Sequence, residues 1–401
     1  MPDAWYTFLS ALCARVYFAR IRVLGRERLP ASGPILYVGL HRNGAVDGFV
    51  YKSIFRRAIF LIAAQLQKNL FCKIFFTGIP VVRDKDSGDR GMNVTAMERC
   101  AELLAAGGEL VVFPEGTSSL GPHHLPFKSG AARIAVEAWR RVIPLKVVPL
   151  GITYNAPARF RSSVEVVVGR TIEREHTQGT HGEQHFAAVK SLLTQALESV
   201  GINMDSAEYF EELQLLATMV LPDRNGFLAM KICENGIPEP LRSSWNTLHG
   251  RMLATNLKRS AAASAFTEAS PWLSLCAGLA LTPLVCIGAL LNPLPLGGAY
   301  WAGKKLSDGP NVITLWRILA GVPLFAVWIV AILTVLVVTG NAVWFLLFVP
   351  FTAMAWVAYA PARQSLLAGW NGMRFPKLRR EYLEFRRAFL QELDKHESSA
   401  S

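Results

Sequence analysis

"PILYVGLHRNGAVDGF", residues 34–49, runs a seven-residue apolar segment of strand character straight into a histidine, with an aspartate after five intervening residues. If His41 and Asp47 lay on one straight helix, 3.6 residues per turn would set them about 120° apart, facing away from each other. A turn must separate them, and Gly44 supplies a permissive backbone for it. Asp47 then sits near the start of a helix predicted over 47–57 and returns onto the imidazole. There it would accept one ring N–H, fix the tautomer and leave the other nitrogen as a general base. Taken alone, the pair reads more readily as two polar residues of a loop, and it is the surrounding blocks that reverse that reading.

Outward from this stretch, short β-rich runs alternate with helical patterns over about residues 34–200, the signature of α/β layering. "PILYVGL" (34–40), "FLIAA" (60–64), "GIPVV" (78–82), "ELVVF" (109–113), "LKVVPLGI" (145–152) and "VEVVV" (164–168) are the strand candidates. "NVTAMERCAELLAAGG" (93–108) has helical spacing and a Gly-Gly stop. Ser129 is placed to cap "GAARIAVEAW". Phe186, Val189, Leu192, Leu193, Leu197 and Val200 form one helical stripe. Strand ends are where ligand sites form in such folds. "GIPVVRD" delivers Arg83, "VVFPEGTSS" (111–119) delivers the turn Glu115-Gly116-Thr117, and "KSGAAR" (128–133) adds Lys128 and a helix N-terminus suited to phosphate.

The chain has 401 residues, 51% of them hydrophobic, and a mean hydropathy of +0.27. That is too apolar for an ordinary soluble protein and points to a membrane. A net charge of +12 asks for an anionic partner, and lipid is favoured over nucleic acid because the aromatics lie in apolar runs away from the basic clusters. The six cysteines show no Cys-x-x-Cys pair or zinc spacing and read as free, buried thiols. His176, His181 and His185 read as a solvated loop, and His123 and His124 as either loop surface or an edge of the site.

Residues 1–30 read as an amphipathic membrane-interface helix, with Arg20, Arg22, Arg26 and Arg28 on anionic lipid. An α/β domain follows over 31–200, then a helical connector over 201–268 with a break at "NGIPEP" (235–240). Residues 272–303 and 318–362 contain no Asp, Glu, Lys or Arg. Each is long enough for membrane insertion, or for a buried pair of core helices. Lys304, Lys305, Arg317, Arg363 and Arg374 flank both runs, and the positive-inside rule then wants an even number of crossings in each. The expectation is a hairpin or re-entrant segment over 272–303, a two-span hairpin over 318–361 and a basic, solvated or membrane-surface tail over 363–401.

In order, "GRERLPASGPILYVGLHRNGAVD", "GIPVVRD", "VVFPEGTSS" with "FKSGAARIA", and "VVPLGI" resemble the glycerolipid acyltransferases that act on glycerol 3-phosphate and lysophosphatidic acid. The resemblance covers about residues 20–200. It implies a mixed α/β sheet flanked by helices, with His41 as base and Asp47 as its orienting partner. Arg83, Glu115, Gly116 and Thr117 would hold the glycerol phosphate with Lys128 nearby, and Pro149 would help shape the site. The co-substrate would be acyl-CoA or acyl carrier protein, with no metal or cofactor and an unspecified oligomeric state. The chemistry agrees, because an alcohol needs a base to attack a thioester, whereas a thiolate, whose acid has a pKa of about 8.5, leaves unprotonated. Two departures stand out. The family usually has four residues between His and Asp, and five are found in a branch with C-terminal membrane segments. The usual arginine after Glu-Gly-Thr is Ser118 here, which weakens phosphate as the headgroup unless Arg83, Lys128 or Arg42 compensates. That suits a different lysophospholipid or polar-lipid acceptor, while a catalytically silent lipid-binding protein is the alternative of another class.

Overall fold

The computed structural model describes residues 2–67, 70–83, 91–177, 182–221, 226–260 and 262–400. His181, named above, and Asp84, the last residue of "GIPVVRD", lie outside the described residues. Seven strands form one sheet among them: β1 (Phe18–Leu24), β2 (Ile35–Gly39), β3 (Ile59–Ala63), β4 (Ile79–Val81), β5 (Glu109–Val112), β6 (Lys146–Tyr154) and β7 (Ser162–Val168). Their order across it is β1-β7-β6-β2-β5-β3-β4. Strands β2 to β6 run parallel, β7 is antiparallel to β6, and β1 is parallel to β7. Every residue of the central strand β2 is buried, as its unbroken apolar text requires.

Six of these strands are the six expected. The seventh corrects the reading of residues 1–30 as one helix: α1 (Pro2–Tyr17) stops and β1 follows at once. Arg20 and Arg22 belong to that strand, alternating with Ile21 and Val23 at the two-residue period of a pleated strand. Arg161, itself at φ 58°, holds the junction. Its backbone N–H donates to Tyr17 O and its guanidinium to Arg15 O, the open carbonyls of the helix end. One face of α1 (Tyr6, Leu9, Cys13, Ala14) is buried in the protein, while Trp5, Phe8 and Leu12 face outward, as an interfacial helix requires.

The crossovers are α2 (Val46–Ile54), α3 (Leu70–Phe75), α4 (Gly91–Ala105), α5 (Gly130–Arg140) and, after the sheet, α6 (Gly182–Val200). Helix α4 closes on Gly107 at φ 76°, and the N–H of Gly108 returns to Leu103 O. Ser129 precedes α5 but makes no capping bond, contrary to expectation. Its backbone is already helical, and capping needs an extended one.

Among the described residues, three helices lie between 201 and 268: α7 (Ala207–Val220), α8 (Gly226–Ile232) and α9 (Glu239–Ala254). The apolar region follows as α10 (Pro271–Leu291), α11 (Pro293–Lys305), α12 (Ile313–Val338) and α13 (Phe345–Arg374), and α14 (Pro376–Ala400) ends the chain. The tail reading is corrected here, because α14 is a core element. Tyr382, Phe389 and Leu393 are buried with Leu213, Trp245 and Met252 in a second hydrophobic core. Glu165 of β7 ties this layer to the sheet by accepting the N–H groups of Gly226 and Phe227 at 3.1 and 2.7 Å.

Pro271–Leu291, Pro310–Val338 and Ala342–Arg374 are long and apolar enough to cross a membrane. At thirteen residues, about 20 Å, α11 is too short to span alone. Close glycine contacts show which helices lie against each other. Gly278 meets Leu366, Gly288 meets Ala355 and Gly369 meets Leu275, whereas Gly298 meets Leu324 and Gly303 meets Arg317. Each apolar run therefore turns back on itself but packs mainly on the other, α10 against α13 and α11 against α12. Small residues allow this close approach where burial of apolar surface gives little drive. Asn292, between α10 and α11, donates to Gly288 O and to Thr352 Oγ1 of α13, a polar link buried between apolar helices.

The flanking cations also serve the protein itself. Arg317 donates to Ala158 O, Thr314 to Pro157 O at 2.6 Å, and Arg363 to Phe160 O and Ala262 O. The apolar helices are thus docked on the β6–β7 loop. Cys276 and Cys286, expected to be buried, are exposed on α10. Burial pushes the thiols of Cys13, Cys100 and Cys233 up to about 12, so they remain protonated.

Phe389→Ala should lower unfolding stability by about 3–5 kcal/mol, the usual cost of emptying a buried aromatic site. Thermal unfolding in detergent checks this, and an unchanged Tm would mean that α14 is a detached tail.

Candidate active site

Because β2, β4 and β5 are parallel, the residues following their C-terminal ends emerge on one edge of the sheet. The register pairs Val38 with Val112, and three residues further on it sets His41 opposite Glu115. The turn beyond β2 is held by Asp47, which is inaccessible to solvent. Its Oδ2 lies 2.9 Å from His41 Nδ1 and accepts the backbone N–H groups of Arg42 and Asn43 at 2.6 and 2.9 Å. Its Oδ1 accepts from the Tyr154 hydroxyl. Gly44, at φ 56°, makes the expected left-handed turn, and Asp47 N–H closes it onto Gly44 O. With Nδ1 occupied by the carboxylate, Nε2 is the nitrogen left to exchange a proton with a ligand. The imidazole also stacks on Phe113, with ring centroids 4.3 Å apart. Burial, and then the Asp47 charge, push the Tyr154 hydroxyl well above its ordinary pKa, so it stays a donor.

A cavity of about 940 Å³ opens beside His41. Arg83, Gly116, Thr117 and Lys128 line it, together with Ser129 and Gly130 at the N-terminus of α5. Asn93 secures the approach to Arg83 by pairing its amide with both the N–H and the C=O of Val82. Gly116, at φ 69°, allows the Lys128 side chain to pass close over the turn. The remaining wall is apolar and includes Tyr6, Phe60, Ile62, Phe76, Ile134 and Leu315. Cationic and apolar surfaces in one cleft suit an amphiphile with an anionic head.

Three expectations are corrected. Glu115 was expected to hold substrate, but it is buried behind the cavity wall. Its Oε1 accepts His41 N–H at 2.8 Å and its Oε2 accepts Leu125 N–H at 3.1 Å. Burial raises its pKa, and those two N–H bonds oppose the rise. Arg42 cannot replace a phosphate-binding arginine, since its guanidinium donates to Gly121 O and His123 O, and the residue is buried. Pro149 is buried in β6 beside Val38 of β2 and does not reach the cavity. His124 is likewise turned away, into a small pocket beside Arg42, where burial pushes its pKa down to about 3.

Four contributors were not anticipated: Tyr154, Phe113, Arg133 and the segment Asp308–Leu315. Tyr154 was legible in part, because it continues the alternation Leu150, Ile152 at the same end of β6. The segment from the apolar region had no local signal. Glu115→Ala should cost about 1–3 kcal/mol for each stranded backbone N–H, His41 and Leu125. A Tm equal to wild type in thermal unfolding would contradict this anchoring role.

Residues 20–153 match the family model described as Acyltransferase. The chain is 29% identical over 151 residues to a 1-acyl-sn-glycerol-3-phosphate acyltransferase of Chlamydomonas reinhardtii, covering 36% of this chain and 43% of that protein. It is 31% identical over 162 residues to the lyso-ornithine lipid O-acyltransferase of Brucella abortus, covering 37% and 54%. A match to glycerol-3-phosphate O-acyltransferase 1 of Saccharomyces cerevisiae, 25% identical over 302 residues, covers 51% and 40%. The chain thus spans about half the length of the curated relatives it matches. The match to the Acyltransferase family therefore lies in residues 20–153, on the parallel strands that bring the His41–Asp47 turn, Arg83 and the Glu115-Gly116-Thr117 turn to one edge of the mixed sheet.

Proposed function

We propose that this protein transfers a fatty acyl group from acyl-CoA or acyl carrier protein to a hydroxyl of glycerol 3-phosphate or 1-acylglycerol 3-phosphate. The observation that carries the reading is the His41 imidazole, held at Nδ1 by a buried carboxylate and opening onto a cavity that is cationic on one wall and apolar on the other. His41 Nε2 takes the proton of the acceptor hydroxyl as its oxygen attacks the thioester carbonyl. The tetrahedral intermediate then expels the thiolate, and no acyl-enzyme forms. Asp47 stabilises the imidazolium, and Tyr154 and two backbone N–H groups keep Asp47 oriented. Arg83, Lys128 and the N-terminus of α5 take the phosphate, and the apolar wall takes acyl chain.

A second reading, transfer to another lysophospholipid or polar lipid, is favoured by Ser118. Its hydroxyl lies 2.6 Å from the Asn311 amide, and no arginine stands there. The relative named lyso-ornithine lipid O-acyltransferase supports the same reading. The α/β domain is proposed to face the cytoplasm, with the α12–α13 turn on the far side of the membrane.

Purified protein in detergent, given radiolabelled acyl-CoA and parallel acceptors, should esterify one of them, and His41→Ala should lower that rate roughly 100- to 10,000-fold. A mutant equal to wild type on every acceptor removes the general-base role. Lipid binding without any transfer would instead support a silent lipid-binding protein. In sealed membranes, a membrane-impermeant maleimide should label Asn341→Cys and Glu27→Cys from opposite sides, and labelling of both from one side would reject the hairpin.

A further inference from the structure

The loop Leu306–Val312 joins the two apolar runs, α10–α11 before it and α12–α13 after it, yet it touches both catalytic turns. The Asn311 side-chain amide donates to Ser118 O at 3.1 Å and lies 2.6 Å from Ser118 Oγ, on the turn after β5. Asn311 O lies against Gly44, in the turn between His41 and Asp47, so closely that a Cβ there would come within 3.0 Å. Ser119, next along, donates its N–H to His41 O at 3.1 Å. Asp308, Gly309, Asn311 and Val312 line the same cavity as His41. The loop is held in place from below by Thr314 and Arg317, which bond to Pro157 O and Ala158 O.

Charge gives the loop a further consequence. Arg83, Lys128 and Arg133 line the cavity, and among the described lining residues Asp308 is the carboxylate. A carboxylate opposes additional negative charge and attracts hydrogen-bond donors. We infer that the loop Leu306–Val312 is a wall of the acceptor site, with Asn311 as its positioning residue. Asp308 then selects acceptors that bring a hydrogen-bond donor, a second hydroxyl or an ammonium, besides the hydroxyl to be acylated. The apolar region thereby completes the site in addition to anchoring it. This rests on the acyl-transfer reading above.

The test is a set of steady-state measurements on the full-length protein in detergent, with wild type, Asn311→Ala, Ser118→Ala, the double variant and Asp308→Asn. Acceptors are glycerol 3-phosphate, carrying a spare hydroxyl, lysophosphatidylethanolamine, carrying an ammonium, and lysophosphatidic acid, carrying neither. Asn311→Ala should raise acceptor KM at least fivefold with acyl-donor KM and Tm unchanged, and adding Ser118→Ala should add little, because the two residues act as one contact. Asp308→Asn should narrow the preference for donor-bearing acceptors over lysophosphatidic acid by about tenfold, and whichever of the first two acceptors loses most identifies the donor. Acceptor KM values unchanged in Asn311→Ala and Asp308→Asn, with wild type active, would overturn the inference and leave the acyl-transfer reading standing. If wild type acylates none of them, that reading fails and a second measurement decides the inference. Maleimide modification of Asp308→Cys, read on its peptide by mass spectrometry, should be slowed by at least one of the three acceptors. If none slows it, the loop is not a wall of the site.

Discussion

The carboxylate of Asp47 is the constraint on which the site depends. It is removed from water, yet it gathers donors from the His41 ring, the backbone of residues 42 and 43, and Tyr154 at the end of β6. A buried charge is tolerable only when surrounded in this way. The requirement folds the chain between residues 41 and 47 into a left-handed turn at Gly44 and points the imidazole into the cavity. It also fixes the β2–β6 neighbourhood, because Tyr154 reaches Asp47 only if those strands pair in the observed register. Glu115 applies the same principle one strand away, using its two oxygens to hold the backbone of residues 41 and 125.

The two carboxylates therefore share a structural logic but differ in chemistry. Asp47 touches the imidazole that would exchange a proton, and Glu115 touches only backbone. The Glu-Gly-Thr turn keeps its place at the cavity through Gly116 and Thr117, while the glutamate faces inward. The positive side chains on the cavity wall are Arg83, Lys128 and Arg133. Arg42, adjacent in sequence to the histidine, is not part of that wall, because its guanidinium satisfies the carbonyls of the loop around Gly121.

The C-terminal half of the chain joins this domain more closely than an anchor needs to. Arg317 near the start of α12 and Arg363 within α13 bond to carbonyls of the β6–β7 loop, and α14 completes the second hydrophobic core with α7 and α9. The short α11 brings the loop 306–312 down onto the turns that carry Gly44 and Ser118. The result is a site whose walls come from residues more than 200 positions apart in the chain.

Strand text at 34–40, 109–113 and 145–152, the glycine at 44 and the blocks carrying His41, Asp47, Arg83 and Glu115 determined the sheet, the edge that opens onto the cavity and the meeting of His41 with Asp47 by themselves. Local period and turn chemistry carry that information, and parallel strands must deliver their ends to one side. Strand β1 was present in the text as Arg20-Ile21-Arg22-Val23, but its arginines were read as charge on lipid instead of period-2 alternation. Which way a side chain turns after a strand, or from within one, was not legible, and so Glu115, Arg42 and Pro149 lay elsewhere than expected. The burial of α14, the crosswise pairing of the apolar helices, and the meeting of Asn311 with Ser118 were decided only by the tertiary structure. Each is a contact between segments far apart in the chain, and local periodicity carries no record of which distant surface an apolar face or an amide will meet.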